Sequence, residues 1–160
     1  MKLDFEAMPD HARVWVYQCS RVLTQTEIEQ IQGRLDFFVQ GWAAHGQPLM
    51  SSYSIEHGRF LVFAVDEKAS GVTGCSIDSS VSLVKEFCND YKVDFFDRMA
   101  IAWIKADVIQ ITPMHEFWAM RKAGIITDVT LVYDNLVKAK GDLAEAWLVP
   151  FSQSWHAKMW

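Results

Sequence analysis

The chain has 160 residues, the length of a single domain. Hydrophobic residues make up 51% of it and charged residues 22%, which is too apolar for a disordered chain, so we expect a packed core. A net charge of −5 argues against a nucleic-acid interface, and no apolar run is long enough to span a bilayer.

The first ten residues and the cysteines indicate the compartment. Residues 1–10 carry three acidic side chains and lack the apolar stretch of a secretory signal. Cys19, Cys75 and Cys88 form no CxxC pair and no metal-type spacing. We therefore expect a cytoplasmic protein with reduced thiols and without a zinc site.

The chain begins with a predicted strand and a predicted helix. Residues 13–19 are β-branched and aromatic on both faces, which is typical of a buried strand. Thr24 and Thr26 are each followed three residues later by a glutamate, a capping-box pattern that predicts a helix start. Apolar residues then recur every three or four positions as far as Trp42, so the helix has one apolar stripe.

A hairpin and a second helix are predicted next. Residues 51–57 alternate between apolar and polar, residues 60–65 are all apolar, and His57-Gly58 between them is a tight-turn signal. A polar loop over residues 66–80 precedes a helix whose apolar stripe ends at Tyr91.

The apolar run of residues 99–104 predicts another buried strand and completes a recognisable order of elements. Over residues 12–106 that order is βαββαβ, the pattern of ferredoxin-like folds. We therefore expect an α+β domain over residues 1–106, with a four-stranded antiparallel sheet and two helices. Its strand order would be 4-1-3-2.

That order places the strand of residues 99–104 on an edge of the sheet, although it is apolar on both faces. Something must cover it, and residues 107–160 are available. A helix after Thr112-Pro113 and a short strand over residues 129–133 are predicted there. We expect this C-terminal extension to pack on the core, so that the chain forms one compact unit.

The loop of residues 71–80 is the best candidate for a polar-ligand or anion site. It leaves a strand and enters a helix, so free backbone N–H groups and the positive end of the helix dipole face whatever lies in front of it. The alternative is that Asp78, Ser79 or Ser80 caps the helix and the glycines form the turn. The candidate ligand-binding residues are Gly74, Ser76, Ser79, Ser80 and, at the end of the preceding strand, Asp66.

Three residues are candidates for catalysis at the same place. In the ferredoxin-like topology, the loop before the second strand brings His45 towards Cys75 and Asp78. A histidine lowers the pKa of a nearby thiol, so Cys75 with His45 is a candidate nucleophile pair. Asp78 with Asp66 and Glu67 could instead hold Mg²⁺, and a solvated acidic rim is the simpler interpretation. We predict no cofactor.

ATP hydrolysis of the P-loop type is excluded. A P-loop requires GxxxxGK[ST], but Gly71 and Gly74 lack that spacing and no lysine follows Gly74 before Lys85. The chain contains no GxGxxG motif either.

Several segments nevertheless carry a resemblance to a known family. The most specific is Gly74-Cys75-Ser76-Ile77-Asp78, and the others are residues 44–46, 59–67, 94–98, 135–137, 147–150 and 154–157. Together they resemble a family of small uncharacterised bacterial proteins often labelled "ABC transporter ATPase", a label that the missing P-loop contradicts. Residues 111–133 also resemble a GYF-type interaction module. Neither resemblance implies a particular activity.

The sequence leaves three classes of function open. The first is a non-catalytic protein that binds a small molecule or another protein. The second is a small hydrolase or transferase that uses Cys75 with His45, or a metal held by Asp78. The third is a self-associating structural protein, and a homodimer is compatible with any of the three.

Overall fold

The computed structural model describes residues 1–69 and 71–160. In this part of the chain the fold is mixed α+β, with antiparallel sheets and five α-helices. The helices are α1 (Gln25–Gly41), α2 (Gly74–Tyr91), α3 (Met114–Lys122), α4 (Asp142–Glu145) and α5 (Trp155–Met159). The strands are β1 (Arg13–Gln18), β2 (Ala43–Ala44), β3 (Gln47–Pro48), β4 (Ser51–Glu56), β5 (Phe60–Val65), β6 (Ala100–Lys105), β7 (Val108–Pro113), β8 (Leu131–Tyr133) and β9 (Leu148–Pro150).

The chain divides into two compact units. The first comprises Met1–Phe96 with Lys138–Gly141, and the second comprises Asp97–Val137 with Asp142–Trp160. The domain boundary expected after residue 106 stays a prediction. Among the described residues, no helix combines the length and the apolar character needed to cross a membrane.

The first unit contains an antiparallel sheet in the order β1-β5-β4. The central strand β5 is the continuously apolar one, and all six of its residues are buried. On one face of this sheet, Phe63 lies opposite Trp15 and Tyr53 in the two neighbouring strands. This is the 1-3-2 order that the sequence predicts for the first three strands.

Helices α1 and α2 pack on that face, because each has one apolar stripe. Ile31, Leu35 and Val39 are the buried residues of α1. The capping box that starts α1 uses Thr24 rather than Thr26: the Glu27 N–H donates to Thr24 Oγ1 at 3.1 Å, and the Thr24 N–H donates to the Glu27 carboxylate at 2.9 Å.

The predicted fourth strand does not join this sheet, so the 4-1-3-2 order is wrong. Residues 138–140 run beside β1 instead: the Val14 N–H donates to the Lys138 carbonyl at 2.9 Å, and the Lys140 N–H donates to the Ala12 carbonyl at 2.8 Å. Strand β6 pairs along its whole length with β7, through a turn in which Ala106 and Asp107 both have positive φ. Strand β6 thus forms a hairpin with the next strand, β7, instead of the predicted pairing with β1.

In the second unit β6 is a central strand, in a sheet of order β7-β6-β8-β9. Residues from the C-terminal part of the chain pack on Ile101 and Trp103 of β6, which buries this apolar strand as its composition predicts. The buried residues of this cluster are Ile101, Trp103, Phe117, Ile126, Val132, Val149 and Phe151. That the two units pack as one body stays a prediction.

Candidate functional site

The loop of residues 71–80 is largely the first turns of α2. The helix begins at Gly74 and Thr73 is its N-cap. The Ser76 N–H donates to Thr73 Oγ1 at 3.1 Å, and the Thr73 N–H donates to Ser76 Oγ at 2.8 Å. The capping roles considered for Asp78, Ser79 and Ser80 are therefore wrong. Gly74 is not among the positive-φ glycines of the described residues, so it does not supply a left-handed turn position.

The candidate hydroxyl groups mostly serve the helix itself. Ser76 and Ser80 are buried, and Ser80 Oγ donates to the Ile77 carbonyl at 2.6 Å. Ser79 Oγ donates to the Cys75 carbonyl at 3.0 Å but remains on the surface. At the helix start, the N–H groups of Gly74 and Cys75 have no acceptor among the described residues.

Asp66 is engaged in a different contact. Its Oδ1 lies 3.0 Å from His11 Nε2 and accepts the Lys68 N–H at 3.1 Å. Burial alone would raise the pKa of the Asp66 carboxyl, but the hydrogen bonds from His11 and Lys68 outweigh it and lower this pKa. The neighbouring Glu67 carboxylate pairs with Arg13 at 3.1 Å. Across the described residues, no three His, Cys, Asp or Glu side chains converge where they could hold a metal ion.

His45 lies in the tight turn between β2 and β3. It has a φ of 49° and is followed by Gly46 at 75°, the left-handed pair that a two-residue hairpin turn requires. His45, Cys75 and Asp78 are all exposed. Within the described part of the chain, no hydrogen bond or ion pair joins His45 to either of the other two. That Cys75 and His45 form a nucleophile–base pair stays a prediction.

The backbone nevertheless brings the hairpin and the start of α2 together. The Trp42 indole N–H, at the end of α1, donates to the Ser76 carbonyl at 2.9 Å, and this bond is buried. Strand β2 lies against α2. The hairpin and the start of α2 are therefore neighbours, while among the described residues no hydrogen bond or ion pair joins their candidate side chains.

An open groove of about 1050 Å³ lies between α1 and α2 in the first unit. Its α1 side is formed by residues spaced three and four apart, which lie along one helix face. The lining residues are Glu29, Gln30, Gly33, Arg34, Phe37, Phe38, Gly41, Trp42, Ala43, Ser79, Leu83, Glu86 and Tyr91. We call this feature the α1–α2 groove.

Two glycines and one aromatic ring shape the α1 side of the groove. A Cβ atom added at Gly33 or Gly41 would meet no atom within 4 Å. Phe37, one helical turn from each of them, is 87% exposed. Gly33, in the interior of α1, costs about 1 kcal/mol relative to alanine, whereas Gly41 is the last residue of the helix.

Arg34 lies along the α1 side of the α1–α2 groove and reaches across to α2. Its guanidinium donates to Asp90 at 2.7 Å and to Glu86 at 3.2 Å, both on α2. The same group lies 4.7 Å from the centre of the Phe87 ring. These contacts join the two helices near Tyr91, another lining residue of the groove.

The groove was not among the sequence predictions. Two signals could have indicated it: Phe37 lies beside the apolar stripe instead of within it, and Gly33 interrupts a sequence that otherwise favours helix. Neither signal predicts a groove by itself, because the groove also depends on how α2 packs against α1, and the sequence pattern of α1 does not specify that packing.

A comparison of this chain with protein-family models, with curated proteins and with solved structures finds no match.

Proposed function

We propose that the protein is a non-catalytic binding protein whose ligand lies in the α1–α2 groove, with a polar end at the first turn of α2. The observation that carries this proposal is the groove itself, an open channel of about 1050 Å³ with aromatic side chains along it. Ligand sites are characteristically concave and apolar, with a few polar groups that fix orientation.

The polar end of the site follows from helix geometry. Ser79 lines the groove, and Cys75 lies four residues earlier on the same face of α2. Beyond Ser79, this face of α2 carries the exposed Cys75 thiol, and the N–H groups of Gly74 and Cys75 have no acceptor among the described residues. These groups would receive a polar or anionic part of the ligand, in keeping with the site predicted for residues 71–80.

The enzyme alternative lacks comparable support. Among the described residues no hydrogen bond joins Cys75 to His45, and Asp66 and Glu67 are paired with His11 and Arg13. A binding role requires none of these missing contacts.

Cys75 offers a direct test, because it is the most accessible of the three thiols. Cys19 is buried, and the Cys88 thiol is half-buried and accepts the Phe95 N–H. An environment-sensitive dye on Cys75 would report occupancy at the polar end of the groove. We expect its emission to change, and to saturate, with at least one member of a panel of nucleotides, phosphosugars, acyl-CoA compounds and amphipathic peptides.

The matched control is Gly33→Leu, which fills the groove where a Cβ meets nothing. We expect this variant, labelled at the same thiol, to remain folded and to bind the same compound at least about tenfold more weakly, about 1.4 kcal/mol. A response that survives in Gly33→Leu, or a panel in which nothing responds, contradicts the proposal.

A further inference from the structure

We infer that the ligand of the α1–α2 groove is an amphipathic helix of a partner protein, with an apolar face and lysine or arginine along its flank. This inference rests on the proposed function and names the chemistry of the partner. Two features of the groove carry it, its shape and the balance of its charges.

The shape of the groove suits a helix. On the α1 side it extends from Glu29 to Gly41, which at 1.5 Å per residue is about 18 Å, or a little over three helical turns. All lining residues except Trp42 and Ala43 belong to helices, so the groove offers almost no strand edge that could pair with an extended peptide. A helix laid between two helices needs only side-chain contacts.

The apolar surface of the groove matches the anchors of such a helix. Phe37 is exposed, and Phe38 and Leu83 are half-buried along the groove. Gly33 and Gly41 leave space on either side of Phe37 where bulky partner side chains could enter. Helices that bind in grooves present such anchors at positions i, i+3 or i+4, and i+7.

The charges of the groove select a basic partner. Its rim carries Glu29 and Glu86, with Asp90 beyond Arg34, against the single guanidinium of Arg34. The Arg34 guanidinium is shared between the carboxylates of Glu86 and Asp90. Among the described residues, the Glu29 carboxylate accepts a hydrogen bond only from the Gln25 side-chain amide. No lysine is among the lining residues. Complementarity therefore requires cations on the partner.

The test uses two fluorescein-labelled peptides of equal length. One is a 14-residue amidated helix with leucine at positions i, i+3, i+4 and i+7 and lysine elsewhere, and its twin has glutamate in place of every lysine. Because opposite charges attract across the rim, we expect the lysine peptide to bind at least about tenfold more tightly than its twin at low salt, by fluorescence anisotropy. We expect this difference to shrink at high salt, since ions screen surface charges.

Glu29→Lys tests the charge argument, because in the described part of the chain Glu29 has no cationic partner whose loss could unfold the protein. We expect it to weaken the lysine peptide and to strengthen its twin. Glu116→Lys makes the same change of net charge outside the lining residues and should leave both affinities unaltered. Gly33→Leu should weaken the lysine peptide in either background.

Equal affinity for the two peptides, or an effect of Glu116→Lys as large as that of Glu29→Lys, overturns the inference. So does a dimer in sedimentation that dissociates on Phe37→Ser, because a second copy would then occupy the groove. If another member of the panel binds and Gly33→Leu blocks it while the lysine peptide does not bind, the inference fails and the proposed function stands. If nothing binds the groove, both fail.

Discussion

Thr73 and Ser76 hold the first turn of α2 through two reciprocal hydrogen bonds, at 3.1 and 2.8 Å. Each side chain satisfies a backbone N–H that the helix cannot bond internally. Asp78 lies one turn later, is exposed and has no such contact among the described residues. The stability of this helix start therefore depends on the threonine and not on the carboxylate.

Thr73→Ala should lower the free energy of unfolding by about 1 kcal/mol, because the Ser76 N–H loses its acceptor. Asp78→Ala should change it by less than about 0.5 kcal/mol, as is usual for an exposed site without a partner. Urea unfolding of the two variants, compared at equal m-values, measures both. The reverse ranking would show that Asp78 has a structural role that the contacts do not reveal.

His156 is an imidazole enclosed by other side chains. It is 2% exposed, its Nδ1 lies 3.0 Å from Ser154 Oγ, and its ring stacks on Trp155 with the centres 4.0 Å apart. Burial lowers its pKa to about 4, and the Asp134 carboxylate offsets this only in part. The folded protein therefore keeps His156 neutral where an unfolded chain would already be protonated.

Stability should consequently fall as the pH drops from about 6.5 towards 4, because protons bind to the unfolded chain before they bind to the folded one. We expect about 2 kcal/mol to be lost between pH 7 and pH 4.5 through His156. His156→Gln should flatten the slope of unfolding free energy against pH, whereas substitution of the exposed His115 should leave the contribution of His156 to that slope in place. If the unsubstituted protein, His156→Gln and the His115 variant all showed the same slope, His156 would not be the source of the pH dependence.

At the scale of elements, residue periodicity predicted those helices and strands whose apolar pattern is regular or whose turn has the usual residues. The stripe of α1 and the β4–β5 hairpin follow from residue spacing, and the apolar run of β5 indicates its central place. The pairing of β6 with β7 was missed because Ala106 and Asp107 adopt positive φ without the usual glycine or asparagine. Residues 138–140 carry no strand pattern at all, since their sequence is Lys-Ala-Lys.

The candidate site was predictable only in part for a related reason. The sequence placed the hairpin of His45 near the start of α2, and the Trp42–Ser76 hydrogen bond is found there. Which hydroxyl groups face inward depends on the residue at which the helix begins. The sequence predicted that start a few residues too late, so Ser76 and Ser80 were predicted as ligand-binding residues although their side chains are buried in α2. A groove between two helices depends on their packing, which neither helix specifies alone.

At the scale of the whole molecule, Lys138–Gly141 belongs to the first unit although the residues on either side of it belong to the second. Its backbone pairs with the edge of β1, and the Lys140 ammonium donates to the carbonyls of Glu6 and Met8 at 2.9 and 2.7 Å. The segment thus covers a strand edge that would otherwise expose unpaired backbone groups.

Lys140→Pro should lower the free energy of unfolding by about 2–3 kcal/mol and promote association, because proline removes the N–H that bonds to Ala12 and uncovers the edge of β1. Lys140→Ala keeps that N–H and loses only the ammonium contacts, so about 1 kcal/mol and no association are expected. Urea unfolding together with light scattering at several protein concentrations separates the two. Association of both variants, or of neither, would show that the edge is protected in another way.

Because Lys138–Gly141 lies late in the chain, it is synthesised well after the rest of the first unit. A ribosome adds about 5–20 residues per second, so residues 97–141 take about 2–9 s to follow the end of the first unit's main stretch. Mixed α/β domains of this kind fold in far less time. For several seconds, therefore, α1, α2 and the β1-β5-β4 sheet can form in the nascent chain before residues 138–141 are available to pair with the free edge of β1. During that interval β1 is open to chaperones and to other nascent chains, and an expression system that translates slowly lengthens its exposure.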